Sequence, residues 1–209
     1  CYWMTKSISG EKGEGMIFAS PNQAITAFDL GVISLRAKIK VYGGDSERYK
    51  SFGQEPFETT VGKLFFNSIF PDDFNYIGEE ITVKRMTLLV EELIARYGID
   101  LTPPILDKIK DFGFRYSTYS GVTWSIDNVC VPKEKESIVK DHKEQEKKVK
   151  DQYEDGLLSD DEKRQKVIEI WEHARKEIEK AIPNALEENG STKNLIDSGA
   201  RGNTSQLTQ

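Results

Sequence analysis

Residues 133–182 constrain this chain more than any other stretch, because few apolar side chains are spread among many charges. Residues 133–154 are almost entirely charged, and residues 160–182 read as helical throughout. Between them, Gly156 has the form of a helix C-cap and Ser159 that of an N-cap. Glu162, three residues on, completes a capping box. Two helices joined by so short a turn run antiparallel. Apolar positions 167, 170, 171, 174, 178 and 181 follow the a/d rhythm of a coiled coil. Folding about the turn pairs Val149 with Val167, Gln145 with Trp171, His142 with Ala174, and Ile138 with Ile178. The first helix adds little apolar surface, so residues 132–183 are predicted to form a lean, protruding hairpin. Pro183 ends it, and residues 184–209 read as a flexible return followed by a polar turn.

The preceding residues, 1–131, have the patterning of an ordinary α+β body. Met16-Ile-Phe-Ala19 is a candidate strand. Ser20-Pro-Asn-Gln23 has the form of a helix start, with Ser as N-cap and Pro at the first helical position. The helix 21–30 places Ala24, Ala27 and Phe28 on one face, and Gly31 ends it. Leu35, Ala37, Ile39 and Val41 alternate with basic residues, which predicts a half-buried strand. Residues 43–56 read as a polar loop, and 63–70 as a short apolar helix stopped by Pro71. Thr82 caps a helix ending at Gly98, with Met86, Leu89, Leu93, Ile94 and Tyr97 facing the core. Thr102-Pro103 starts another helix, ending at Gly113. Phe114, Tyr116 and Thr118 alternate, and Gly121-Val-Thr-Trp124 follows, so two strands joined at Ser120-Gly121 are expected. The fold class is therefore α+β: a mixed helix and strand body with a protruding antiparallel helical hairpin.

Composition narrows the functional classes. The net charge of −6, with both signs mixed, gives no basic footprint for DNA or RNA. Two cysteines, Cys1 and Cys130, are too few for a disulfide framework, and no C-x-x-C pattern suggests zinc. A reducing cytoplasm is the default compartment. No apolar run approaches the roughly 20 residues that span a bilayer, and no signal peptide is evident. The chain opens on Cys1 rather than Met, so an internal piece of a longer polypeptide is expected.

Four constellations bear on function. Gly10-Glu-Lys-Gly13-Glu-Gly15 lacks the spacing of a phosphate loop and precedes a strand, so it reads as a turn. The two histidines, His142 and His173, both fall on the hairpin; counted alone they are too few for a metal site and read as seam or solvent-face residues. The hairpin tip carries Leu157 and Leu158 and a second helix opening Asp160-Asp-Glu-Lys-Arg-Gln-Lys166. A mixed-charge run is ordinarily a solvated helix face; a long arm with an apolar tip also fits partner binding. The turn Asp197-Ser-Gly-Ala-Arg-Gly202 allows close backbone approach and presents one guanidinium. Arg201 suits bidentate contact with phosphate or carboxylate, and a helix cap with a structural salt bridge is the competing reading.

Several stretches, in order, resemble the largest catalytic subunit (β′) of bacterial RNA polymerase. They include Thr59-Thr-Val-Gly-Lys63, Asp107-x-Ile-Lys-x-x-Gly-Phe114, Lys166-Val-Ile-x-Ile-Trp171 and Asp197-Ser-Gly-Ala-Arg-Gly202. The resemblance implies the pore and funnel around the secondary channel. There the family admits nucleotide triphosphates, and Gre-type factors dock at the rim. It implies rim-docking residues Asp160, Asp161, Glu162, Arg164, Gln165 and Lys166, and channel-facing residues Arg201, Asn203 and Gln206. It implies no catalytic residue, metal or cofactor in these 209 residues: the Asn-Ala-Asp-Phe-Asp-Gly-Asp loop that holds catalytic magnesium is absent, and Mg2+ and Zn2+ belong elsewhere in such a subunit. The isolated chain is expected to be inactive. Expected partners are the α, β, ω and σ subunits, with no direct DNA binding, no membrane contact, and a cytoplasmic, nucleoid-associated location. At the rim the family commonly has Glu-Arg-Tyr where this chain has Glu162-Lys163-Arg164. It commonly has a Met-rich stretch where this chain has Asn194-Leu195-Ile196. A stand-alone coiled-coil interaction module is the alternative from another class.

Overall fold

The computed structural model describes residues 1–44 and 46–207, in two units: Cys1–Val122, and a second from Thr123 onward. The first unit contains α1 (Tyr2–Thr5), β1 (Ile17–Phe18), α2 (Pro21–Asp29), β2 (Ile39–Val41), a 3-10 turn (Glu47–Phe52), β3 (Phe57–Thr59), α3 (Val61–Asn67) and α4 (Val83–Ser120). The second contains α5 (Lys135–Glu154), α6 (Asp160–Ala185), α7 (Ser191–Asp197) and α8 (Thr204–Leu207). The α+β class is as expected.

The three strands form one mixed sheet in the order β1-β2-β3. β1 runs parallel to β2, with Phe18 opposite Val41; β2 runs antiparallel to β3, with Ile39 opposite Thr59 and Val41 opposite Phe57. A parallel pair needs a crossover connection, and α2 lies within it. Ser20 caps α2 by accepting from the Gln23 N–H, and the Gln23 amide oxygen accepts from the Ala19 N–H at 2.7 Å. The alternation seen from Leu35 gives a ladder only at 39–41; Ala37 makes a single bridge to Ile8. The segment 43–56, expected as loop, buries Arg48 and Tyr49 in its 3-10 turn.

Two hydrophobic clusters fill this unit. Phe18, Ala24, Ile39, Val41, Phe57, Val61 and Leu64 pack between the sheet, α2 and α3. Met4, Phe66, Phe70, Phe74, Leu89, Leu93, Ile105, Ile109 and Phe112 form the other. Helix α3 contributes to both. It begins at Val61, earlier than expected, because the Thr60 hydroxyl accepts from the Lys63 N–H. A side chain on Gly62 would collide with the Met4 carbonyl oxygen, so α1 and α3 touch backbone to backbone.

Helix α4 breaks where the sequence predicts, at Gly98, whose φ of 75° suits a residue without Cβ. Its second arm starts before Thr102, not at it. The Thr102 hydroxyl donates to the Gly98 carbonyl at 2.6 Å rather than accepting as a cap. Ile94, expected in the core, is 43% exposed. The strands expected at 114–118 and 121–124 do not form. The helix runs through Gly113 to Ser120, and Gly121 (φ 58°) ends it. Helical spacing brings Phe112 and Tyr116 to a ring distance of 4.5 Å, with Tyr116 stacked on Phe65 at 6.0 Å. Phe114, on the alternating pattern, is left in solvent. The aromatic packing outweighs the roughly 1 kcal/mol helix penalty of one glycine.

The hairpin of α5 and α6 has the seam expected at His142, Val149 and Ala174, which are buried, while Val167 and Ile178 are half-buried. One pairing differs. The Trp171 indole N–H donates to the Glu146 carboxylate at 3.0 Å, and Gln145 faces solvent. Lys150 pairs with the same carboxylate at 2.6 Å, and together they hold it below the usual carboxylate range. Both ends at the tip are closed. The Gly156 and Leu157 N–H groups donate back to the Tyr153 and Gln152 carbonyls, a Schellman turn with Gly156 at φ 75°.

Two stability outcomes follow from these contacts. The Asn67 amide accepts from the Ile77 N–H at 2.8 Å and donates to the Ile77 and Lys63 carbonyls at 2.9 Å each. Asn67→Ala orphans buried backbone groups at about 1–3 kcal/mol each, so the chemical denaturation midpoint should drop clearly. An unmoved midpoint would show that the 71–82 connection holds itself. In the hairpin, Trp171→Phe keeps a ring but loses the N–H, at about 1 kcal/mol. Trp171→Ala should lose about 2 kcal/mol, below the range for a fully buried tryptophan. Equal losses in helical melting would mean that the hydrogen bond, not ring packing, holds the seam.

Candidate functional site

The expected rim residues occupy the first two turns of α6. Ser159 and Glu162 form a reciprocal capping box. The Ser159 hydroxyl accepts from the Glu162 N–H at 3.3 Å, and the Glu162 carboxylate accepts from the Ser159 N–H at 2.8 Å. The donors on Ser159 hold the Glu162 carboxyl below the usual carboxylate range. Asp160 pairs with Lys163 at 2.9 Å and is held low by it. The Lys163 ammonium also sits 3.6 Å from the Tyr153 ring centre, a cation–π contact that ties the two helices together at the tip. Gln165 donates to Glu169 at 3.2 Å.

The structure therefore divides the six residues. Glu162, Asp160 and Gln165 are engaged in holding the helix start and its outer face. Asp161, Arg164 and Lys166 are exposed and form no ion pair among the described residues. Three acids in the first turn face the positive end of the helix dipole, so their charge also stabilises α6. Leu157, 72% exposed at the tip, stands beside this charged turn.

The second group lies beyond the hairpin, where α7 and α8 flank the turn. Arg201 is exposed; its backbone N–H lies 3.4 Å from the Leu195 carbonyl. Its side chain forms no ion pair among the described residues, so the alternative of a structural salt bridge finds no partner there. Asn203 has a local role, since its side-chain oxygen accepts from the Gln206 N–H at 2.8 Å. The Gln206 side chain is exposed. Gly199 (φ 71°) and Gly202 (φ 76°) bracket Arg201 and set the direction of the turn. The Ser198 hydroxyl donates to the Leu195 carbonyl at 3.0 Å and accepts from the Ala200 N–H, which closes the loop on α7.

The sequence pairing missed two polar links in the hairpin. One is Trp171 with Glu146. The other is a three-residue group. His142 and His173 stack at a ring distance of 5.6 Å, and Glu177 reaches both. The i,i+4 spacing of His173 and Glu177 on one helix face was the available signal.

The family model for RNA polymerase Rpb1, domain 3, matches residues 1–129. Curated relatives align along the whole chain. The DNA-directed RNA polymerase subunit beta' of Nocardioides sp. is 37% identical over 218 residues, and that of Thermobifida fusca 37% over 222. The corresponding subunit of Sulfurihydrogenibium sp. is 34% identical over 221 residues. Each alignment takes in all of this chain and 17%, 17% and 13% of the relative, so the chain spans under a fifth of their length. With most of its residues under that family model, the chain belongs to the RNA polymerase Rpb1, domain 3, family.

Proposed function

We propose that this chain acts as a segment of the β′ subunit of a bacterial DNA-directed RNA polymerase, as wall and rim of the secondary channel. What supports this most is the alignment of the entire chain, hairpin and terminal turn included, with β′ subunits at 34–37% identity. In that setting residues 1–131 are the pore and funnel body, 132–183 the rim hairpin, and 184–209 the return that carries the channel-facing turn. The partners are the α, β, ω and σ subunits, nucleotide triphosphates in transit, and Gre-type factors, in a cytoplasmic, nucleoid-associated enzyme.

The division of labour is physical. The tip offers an exposed leucine and unpaired charges of both signs, which suit a coiled-coil partner. The Arg201 turn offers a planar fork of donors on a small-residue backbone, which suits phosphate oxygens. Nucleotidyl transfer by two metals needs the aspartates of the Asn-Ala-Asp-Phe-Asp-Gly-Asp loop, a motif absent from this sequence. The isolated chain is therefore inactive, and template-dependent RNA synthesis by it alone would refute the assignment.

Factor docking is best tested at Asp161, with the helical signal checked because its charge also favours the start of α6. Reversing Asp160 or Glu162 would also disturb the helix start, whereas Asp161→Lys leaves the capping box and the Lys163 pair in place. It should weaken binding of a Gre-type factor to the assembled polymerase by up to about fivefold, the range of an exposed charge pair. The effect should shrink as salt shortens the Debye length from about 10 Å at 0.1 M. Equal affinity at low salt would move docking elsewhere on the hairpin.

In the whole enzyme, Arg201→Ala should raise the apparent nucleotide KM by about 10- to 100-fold, as expected for losing a charge-assisted hydrogen bond of about 1.5–3 kcal/mol. Gln206→Ala should move it less in the same direction. An unchanged KM in steady-state elongation would return Arg201 to a structural role.

A further inference from the structure

We propose that His142, His173 and Glu177 form a divalent transition-metal site of the zinc class, across the seam of the hairpin. The ligand atoms already stand at coordination spacing. His142 Nε2 lies 3.4 Å from His173 Nδ1, and His173 Nδ1 lies 3.4 Å from a Glu177 carboxylate oxygen. The other Glu177 oxygen is 3.9 Å from His142 Nε2. A tetrahedral zinc with bonds of about 2.0–2.1 Å has ligand-to-ligand edges of about 3.4 Å. One ligand atom from each of the three groups lies within 4.8 Å of the others, close to the size of one face of such a tetrahedron.

The tautomer of His142 is also the one a metal needs. His142 Nδ1 lies 2.8 Å from the Ile138 carbonyl oxygen. A carbonyl only accepts, so Nδ1 carries the proton, and in the neutral ring Nε2 presents its lone pair to His173 and Glu177. A backbone carbonyl on the far ring nitrogen is the usual outer partner of a metal-bound histidine: it fixes the tautomer and the ring orientation. His142 is nearly sealed from water, with a side chain 5% exposed. His173 and Glu177 are 68% and 41% exposed. The site therefore has one rigid, buried ligand and two accessible ones, with an open side for water or a donor from another molecule. Two nitrogens and one carboxylate favour Zn2+, Co2+, Ni2+ or Cu2+ over Mg2+ and Ca2+, which prefer all-oxygen shells. One ligand comes from α5 and two from α6, four residues apart on one face, so the metal would staple the two helices midway along a seam poor in apolar contacts.

The test uses the tag-free 209-residue chain at neutral pH. Zn2+ titrated by calorimetry should bind at one equivalent. Co2+ should give the visible absorption of a four-coordinate nitrogen and oxygen site, without a thiolate charge-transfer band. Zn2+ should raise the melting temperature of the helical signal. His173→Gln and Glu177→Gln change exposed side chains, so both variants should fold; each should weaken Zn2+ at least tenfold and abolish the melting shift. Three results would overturn the proposal: no saturable binding of Zn2+ or Co2+, affinity unchanged in both variants, or a cobalt–thiolate band that places the metal on Cys1 or Cys130.

Discussion

The amide of Asn67 is the interaction on which the first unit depends. It bonds both backbone groups of Ile77 and the Lys63 carbonyl, and is 1% exposed. A buried amide with three satisfied bonds fixes a helix end more tightly than apolar contact, since every alternative leaves polar atoms dry and unpaired. The helix it anchors, α3, sends Phe66 into one cluster and Val61 and Leu64 into the other. Its start is fixed just as firmly. Gly62 lies against the Met4 carbonyl, and the Thr5 hydroxyl in α1 accepts from the Ile81 N–H at 2.9 Å. One seven-residue helix thus sets the spacing between the sheet and the two arms of α4. That explains why so short a helix is almost wholly buried.

The second unit works on other terms. Its hairpin has only a handful of buried apolar side chains, among them Val149, Ala174 and Ile182. Tertiary packing supplies most helix stability in proteins, so a seam this thin puts weight on local devices. The Schellman turn at Gly156 and the capping box at Ser159 satisfy helix-end groups that no core covers. Lys163 over Tyr153 and Trp171 on Glu146 add cross-links that work beside water. Such a structure is assembled from contacts of modest strength and opens locally at low free energy. In the proposed rim role, that compliance would suit a surface that receives partners.

Much of this was legible in the chain because caps are local chemistry. Ser20, Thr82 and Ser159 each accept from the N–H three residues on, as their spacing predicts. The hairpin turn and the break at Gly98 are read the same way, from residues with one favoured conformation. What failed was periodicity over short windows. From 112 to 119, aromatic residues fit both an alternating and a helical pattern, and only the position of Phe65 decides between them. Ile94 follows Leu93 in the helix, so it points away from the face that buries Leu89 and Leu93. In the hairpin the buried seam positions were as expected and the polar partner of Trp171 was not. Glu146, one position beyond Gln145, reaches the indole because a carboxylate is the better acceptor and also meets Lys150. Arg201 is in reverse the clearest case of what sequence marks: an arginine on glycines that the local fold does not use.

That contrast sorts the candidate sites. A side chain employed in the fold is poorly placed to change its contacts when a partner arrives, because the old bond must break first. Glu162 holds the start of α6 and Asn203 the start of α8, so substitutions there act on structure before they act on recognition. Asp161, Arg164, Lys166 and Arg201 carry charge without an internal ion pair among the described residues, so a partner meets them at the cost of their hydration alone. Of the two departures from the expected Glu-Arg-Tyr pattern, at Lys163 and Arg164, the first falls on the structural side of this line. Lys163 pairs with Asp160 and covers Tyr153, so this departure tightens the tip. Arg164, the next residue, is left exposed to a partner. Substitutions at the exposed positions would thus leave the cap, the turn and the seam to keep the hairpin's geometry.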